Sequence, residues 1–366
     1  MKRTLLSLAC LVYLFTSCEE LYKADIDYAN GQLVVESMVT NELSKNFVHL
    51  TKTRNFNDEV SVVGISGATV ELIENKTRVI RTTESRTGYY TFTTVPESGS
   101  SYYLRITVQG DLYESREVTM PPIPTFTNLN TVKITKTVFV ASGESNPQPF
   151  EKQYREIHVD IPVTPNLSHY RFDLRSVFEF SWDSTFIPPS VTGIPTGYGF
   201  YSYTQTDKFV LAGPQNFSQA GSIQKFPLFQ ISYNAIDYLY SDTLKPKGWI
   251  LIVEQYGTSK ESYEYHENLN NQFSAVGSLF DPVQSQVNGN IICKSDPNKV
   301  VYGFFDLNSY QQYRYYFELP TPPIPMVFRP IFRYPEIPPG FKWLMRTNPD
   351  PPRAQPPLSP PDWWEY

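Results

Sequence analysis

The chain has 366 residues, with 31 basic and 37 acidic side chains and a formal charge of −6. An acidic balance with no basic stripe argues against a nucleic-acid binder, whose affinity rests on cations laid along phosphates. Aromatics make up 15% of residues, Tyr alone accounts for 26, and 31 Pro stand against 18 Gly, a mix that favours β-sheet with many turns.

Lys2 and Arg3 precede an apolar run from Leu5 to Phe15, and small Thr16 and Ser17 lead into Cys18. That is the layout of a secretory leader. The run is too short for a bilayer, which takes about 20 apolar residues. Cys18 after small residues resembles a bacterial lipobox, where the cysteine thiol is acylated and the leader is cut just before it. Phe15 stands where that motif usually has Leu. A lipobox at Cys10 would leave too short an apolar core, of about five residues. Glu19-Glu20 is similar to the surface-export signal of Bacteroidota lipoproteins. Two or three acyl chains would anchor a folded domain firmly, where one would be marginal. Loss of residues 1–17 removes Lys2 and Arg3 and no acid, leaving 29 basic against 37 acidic residues, or −8. It also removes Cys10. With Cys18 acylated, Cys293 is left alone, too few for an internal disulfide or a cysteine zinc site. Its context, Asn290-Ile-Ile-Cys293, predicts a buried, inert thiol on a strand.

Residues 18–31 are polar and read as a tether. From residue 32 to 120 short alternating runs follow closely. They are Leu33 to Val39, Phe47 to Thr53, Ala68 to Ile73, Thr77 to Thr82, Gly88 to Thr93, Ser101 to Val108 and Leu112 to Val118. Asn75-Lys76 and Gly110-Asp111 are the turns between them. This spacing predicts an antiparallel β-sandwich. Met120-Pro-Pro-Ile-Pro124 closes it with a stiff linker. A second, larger β-rich domain is expected over 125–319. Thr131 to Val140, Glu156 to Val163, His169 to Trp182 and Gly248 to Glu254 are its clearest strands, with Asn290 to Cys293 and Val300 to Phe305 after them. Pro188 to Tyr203 reads as an aromatic Gly/Pro-rich loop. One short helix is expected from Ser259, with Tyr263, His266, Leu269 and Phe273 at helical spacing and Gly277 as its stop. The tail 320–366 holds 15 of the 31 Pro and three of the five Trp. It lacks sheet donors and predicts extended, polyproline-like chain.

No catalytic constellation stands out. His49, His158, His169 and His266 give no zinc-ligand spacing, and neither a nucleophile elbow nor a phosphate-binding Gly loop occurs. Glu156, His158 and Asp160 would share one face of a strand. That row is either a metal-holding set or a solvated outer face, and the second reading is preferred. No cofactor or metal is expected. Tyr198, Phe200, Tyr201 and Tyr203 are candidate ligand-binding aromatics, since such rings bury area at low entropy cost. Trp343, Trp363 and Trp364 are candidate anchors for a docking partner. Asp183-Ser-Thr185 and Asp242-Thr-Leu244 resemble a short O-glycosylation motif, with Ser184 and Thr243 as acceptors.

Several fragments, taken in order, resemble the DUF4249 family of Bacteroidota lipoproteins of unknown function. They are Leu33-Val-Val-Glu36, Val48-His-Leu-Thr51, Gly67-Ala-Thr-Val70, Gly88-Tyr-Tyr90, Tyr102-Tyr-Leu-Arg105, Tyr113-Glu-Ser115, Met120-Pro121, Gly289-Asn-Ile291 and Val301-Tyr-Gly-Phe-Phe305. The resemblance covers about residues 18–317 and leaves the tail aside. The block Gly67–Val108 also resembles the Ig-like, carboxypeptidase-regulatory-like β-sandwich found beside outer-membrane transporters. Together these imply a lipid-anchored outer-membrane protein facing the cell exterior. It would be a non-catalytic accessory or binding subunit of a TonB-dependent transporter, with a glycan or peptide as ligand. The alternative is a structural or assembly subunit docked on an outer-membrane barrel without ligand. A hydrolase is the third reading.

Overall fold

The computed structural model describes residues 31–54, 63–140, 146–183, 196–204, 208–219, 221–232, 244–274, 287–318, 328–330 and 343–346. The strands run in chain order as β1 (Leu33–Val39), β2 (Phe47–Lys52), β3 (Thr69–Glu74), β4 (Arg78–Arg81), β5 (Thr83–Arg86), β6 (Tyr89–Thr91), β7 (Ser101–Val108), β8 (Asp111–Ser115) and β9 (Val118–Thr119). Next come β10 (Thr127–Val140), β11 (Gln148–Ile161), β12 (Tyr170–Asp183), β13 (Thr196–Thr204), β14 (Val210–Ala212), β15 (Ile223–Ser232) and β16 (Leu244–Gly257). Helix α1 (Lys260–Ser274) leads to β17 (Ile291–Cys293), β18 (Tyr302–Leu307), β19 (Ser309–Glu318), β20 (Phe328–Pro330) and β21 (Trp343–Arg346). The protein is mainly β, as its composition predicts.

The first sandwich pairs a sheet of order β18-β1-β2-β6-β5 with one of order β17-β8-β7-β3-β4, β9 lying on β7. Strict alternation builds its core. Leu33, Val35 and Val39 point inward from β1, and Tyr102, Leu104, Ile106 and Val108 from β7, all into one buried cluster. The β3–β4 turn spans three residues, with Asn75 and Lys76 at positive φ (47° and 63°) and Thr77 N donating to Glu74 O (3.0 Å). The β7–β8 turn is Gln109-Gly110 rather than Gly110-Asp111, because Asp111 already pairs with Val108. Sequence spacing misses β5, four residues of Thr, Glu, Ser and Arg with no apolar alternation to mark them.

The boundary expected near residue 120 does not enclose this sandwich. β18 pairs in parallel with β1 and β17 pairs with β8, so residues from the far end of the chain complete both sheets. β1 and β8 would otherwise present open edges. Two glycines let the returning chain close in. Gly303 has φ +92°, and a Cβ there would collide with the carbonyl of Val35; a Cβ on Gly289 would collide with the carbonyl of Gly303. Asn290 then acts as a strand in miniature. Its Nδ2 donates to Phe305 O (2.9 Å) and its Oδ1 accepts from Phe305 N (2.8 Å). Cys293 is buried on β17, its Sγ 3.6 Å from Ser295 Oγ.

The second unit packs a three-stranded sheet, β10-β11-β15, against a sheet of order β20-β19-β16-β12-β13-β21 with β14 on β12. Ile157, Val159 and Ile161 from β11 meet Tyr170, Phe172 and Leu174 from β12 and Leu251 and Val253 from β16 in a second core. β10, β11, β12 and β16 are each 14 residues long. The expected strand at Glu156 to Val163 is therefore the buried end of a longer one. β19 is missed by alternation because Tyr310-Gln-Gln-Tyr-Arg-Tyr-Tyr316 is polar or amphipathic throughout.

Candidate functional site

The aromatic stretch expected to be a loop is a strand from Thr196 on. The loop signal ends at Pro195, and Thr-Gly-Tyr-Gly-Phe-Tyr-Ser-Tyr-Thr204 is rich in residues that favour sheet. β13 pairs with β12 through Ser181↔Tyr198, Glu179↔Phe200, Phe178↔Tyr201 and Ser176↔Tyr203. Its other edge takes β21, in parallel, with Tyr198 opposite Trp343 and Tyr201 opposite Arg346. The fold thus brings one candidate docking tryptophan into register with the candidate ligand-binding strand. The tail segment around Trp343 is a sheet strand and not a free polyproline arm, since Phe341-Lys-Trp-Leu-Met-Arg346 carries no Pro and keeps its N–H donors. Cys18, Glu19, Glu20, Ser184, Thr243, Trp363 and Trp364 lie outside the described residues.

Of the acid–imidazole row, His158 Nε2 lies 2.8 Å from Glu156 Oε2, while Asp160 Oδ1 accepts from Lys225 N (2.8 Å). The row is divided between two local contacts rather than converging on one point. Among the described residues no group of three or more His, Cys, Asp or Glu is placed to hold a metal.

Among the described residues, one buried charged cluster is not revealed by sequence spacing. It lies where the two units meet and draws on three elements: Arg171 from β12, Asp306 from β18, and Ser262 and His266 from α1. All four are buried. Helix α1 starts where expected, because Ser259 Oγ accepts from Ser262 N (3.1 Å) and caps the first turn. That start sets Ser262, Tyr263 and His266 on the inward face. Phe273, expected on the same face, is exposed.

Arg171 Nη1 donates to Asp306 Oδ2 (2.7 Å) and to His266 Nε2 (2.9 Å). Because Nε2 accepts, the imidazole proton sits on Nδ1 and donates to Ser262 O (2.8 Å). Ser262 Oγ donates to Asp306 Oδ1 (2.5 Å). Arg171 also lies over the Tyr256 ring, 4.3 Å from its centre. Burial pushes Asp306 up, but the Arg171 guanidinium holds its carboxyl below the usual carboxylate range. Burial, joined by the Arg171 charge, pushes His266 down. The result is a buried Arg–Asp pair beside a neutral imidazole. Ser, His and Asp are all present, yet the hydroxyl is bonded to the carboxylate and the imidazole to the guanidinium. In a nucleophilic triad the imidazole would instead take the hydroxyl proton. What this geometry does is clamp β12, β18 and α1 together.

Further contacts extend the seam. Lys45 Nζ pairs with Glu254 Oε1 (2.5 Å), and Tyr265 stacks on Phe304 with ring centres 4.3 Å apart. Asn41 repeats the device of Asn290, donating to Tyr310 O (3.0 Å) and accepting from Tyr310 N (2.6 Å).

A family model described as "Domain of unknown function (DUF4249)" matches residues 19–314. The chain belongs to this family. The DUF4249 span takes in the first sandwich with its returning strands, the seam and most of the second unit, and it ends before the Pro/Trp-rich tail. No curated protein and no solved structure matches the chain. Several fragments that carry the DUF4249 resemblance act in the fold. Tyr90 OH accepts from Ala68 N and donates to Ile65 O (3.0 Å each), Tyr102 OH donates to Glu74 (2.7 Å), and Gly289-Asn290 and Gly303 seat β18.

Proposed function

We propose that this DUF4249 protein is an outer-membrane lipoprotein, acylated at Cys18 and exposed at the cell surface through Glu19-Glu20. Its role is that of a non-catalytic accessory subunit that captures a glycan or peptide for a TonB-dependent transporter. The observation that carries this reading is the leader, Lys2-Arg3 with the apolar run to Phe15 and then Thr16-Ser17-Cys18. An acyl anchor holds a folded body at a membrane surface, where accessory work on a barrel is done. The clamped seam supports it further. Arg171, Asp306 and His266 make one body of two β-units, a fit scaffold for presenting a surface rather than for opening and closing around a reacting substrate.

Metabolic labelling with a radioactive fatty acid tests the anchor. Label should enter the wild-type chain and be absent from Cys18→Ala, and the variant should leave the membrane fraction. A Cys18→Ala chain that stays membrane-bound overturns the anchor. Affinity purification of a tagged chain from mild detergent tests the role, with a co-purifying transporter barrel expected. Loss of glycan or peptide binding in Tyr198→Ala/Tyr201→Ala, with the barrel retained, would separate ligand capture from simple docking on the barrel.

A further inference from the structure

The far end of the β10–β11 hairpin carries exposed apolar side chains that no part of the fold explains. Phe139 is 70% exposed and Phe150 58%. Register sets Val138 opposite Phe150 and Phe139 opposite Pro149. Successive side chains on a strand point to opposite faces, so both faces of the ribbon are apolar at this level. Two residues closer to the body, Lys136 stands directly opposite Lys152. Like charges facing each other across a pair of strands are destabilising. Among the described residues neither lysine makes an ion pair. The Lys136 ammonium donates to the neutral amide of Gln230, and both ammonium groups lie within 6 Å of the Tyr154 ring centre, at 5.9 and 5.7 Å. A protein with a net charge of −6 thus keeps an uncompensated pair of cations beside an aromatic end.

We propose that this end of the ribbon contacts a lipid bilayer, with Phe139 and Phe150 at the acyl boundary and Lys136 and Lys152 on anionic phospholipid headgroups. The spacing fits. Two residues of strand separate the Val138/Phe150 row from the lysine row, about 7 Å, and interfacial elements bury their apolar face by about 5–10 Å. A groove on another protein would cover one face of the ribbon, whereas a bilayer surrounds both. Anionic phosphates resolve the lysine–lysine conflict, each cation near such a surface contributing favourably. The inference does not depend on the acyl anchor, because it concerns a second contact made by the folded body.

A photoactivatable phenylalanine analogue at position 139 or 150 of the full chain tests it, with the same analogue at Val79, exposed on the first sandwich, as reference. The chain is reconstituted into phosphatidylcholine vesicles with or without phosphatidylglycerol. Lipid adducts at 139 and 150 should exceed those at Val79 and depend on phosphatidylglycerol. Lys136→Gln with Lys152→Gln should cut them about thirty-fold. Raising the salt to about 1 M, where screening acts over ~3 Å, should do the same in the unaltered chain. Adducts no greater than at Val79, or equal in neutral vesicles, would overturn the proposal. So would adducts to a protein in place of lipid when the chain is illuminated in its native membranes.

Discussion

The two β-units solve burial with strands of very different length. In the first sandwich the longest strand is β7, with eight residues, and inward-facing positions along it are buried to the end. In the second unit four strands run to 14 residues, about 48 Å of extended chain, while the core fills only one end of β11. Strand length in the first unit is what its core requires. In the second it exceeds that need, and the excess carries Phe139, Lys136, Lys152 and Phe150. A strand that outruns its core is held by ladder hydrogen bonds and cross-strand pairs, which makes it cheap to vary without harm to the fold.

The sharpest way to break this contrast is at the seam that joins the units. Asp306→Ala removes the buried carboxylate of Arg171, leaving it only the more exposed Asp173 at 3.6 Å, and should cost about 3–5 kcal/mol, read as a lower midpoint in urea unfolding. Core truncations come next. Leu72→Ala in the first unit and Leu251→Ala in the second should each cost about 2–5 kcal/mol. A much smaller loss at Leu251 would show that the second core is loosely packed. Acid should weaken the seam gradually. His266 is neutral when folded, whereas the unfolded chain takes up a proton near the ordinary value of 6.5, so stability should fall as pH drops below that value. Asp306 adds a further loss at pH below its ordinary value of 3.8, as its depressed carboxyl is finally protonated. His266→Gln should flatten the first limb in thermal melts taken across pH and leave the second. Ser259→Ala removes the cap of α1 and should cost about 1 kcal/mol, measured by the same unfolding curves. The smallest effect is expected on the ribbon, where Phe139→Ser with Phe150→Ser should change stability by no more than about 0.5 kcal/mol. A large loss there would mean that the ribbon's end packs on the body, and the contrast between the units would fail.

Much of the first sandwich is legible because its alternation is strict. β1 and β7 declare themselves in Leu33, Val35, Val39 and in Tyr102, Leu104, Ile106. Helix α1 is legible too, through the capping Ser259 and the spacing of Tyr263 and His266. The seam is not. Arg171, Asp306 and His266 lie far apart in sequence, and although His266 falls on the apolar spacing of α1, nothing local to any of the three points to the other two. Asn41 and Asn290 are hidden for the same reason, since an asparagine that replaces a strand partner leaves no periodic trace. β19 is obscured by tyrosines, which suit a buried and an exposed face alike. The aromatic strand β13 is masked by the Pro/Gly run that ends at Pro195 just before it and by its own Gly197 and Gly199.

The parallel pairing of β1 with β18 brings Val34 beside Tyr302, and this has a consequence in time. A chain made from its N-terminus exposes two unfinished sheet edges until residues beyond 287 have followed. Contacts of such separation close slowly, because a long loop must be ordered before they form. A fragment ending at the Pro linker would therefore be prone to pair with its own copies. Every truncation between residues 120 and 307 should yield a sticky product, and the protein should reach a soluble state only as a nearly finished chain.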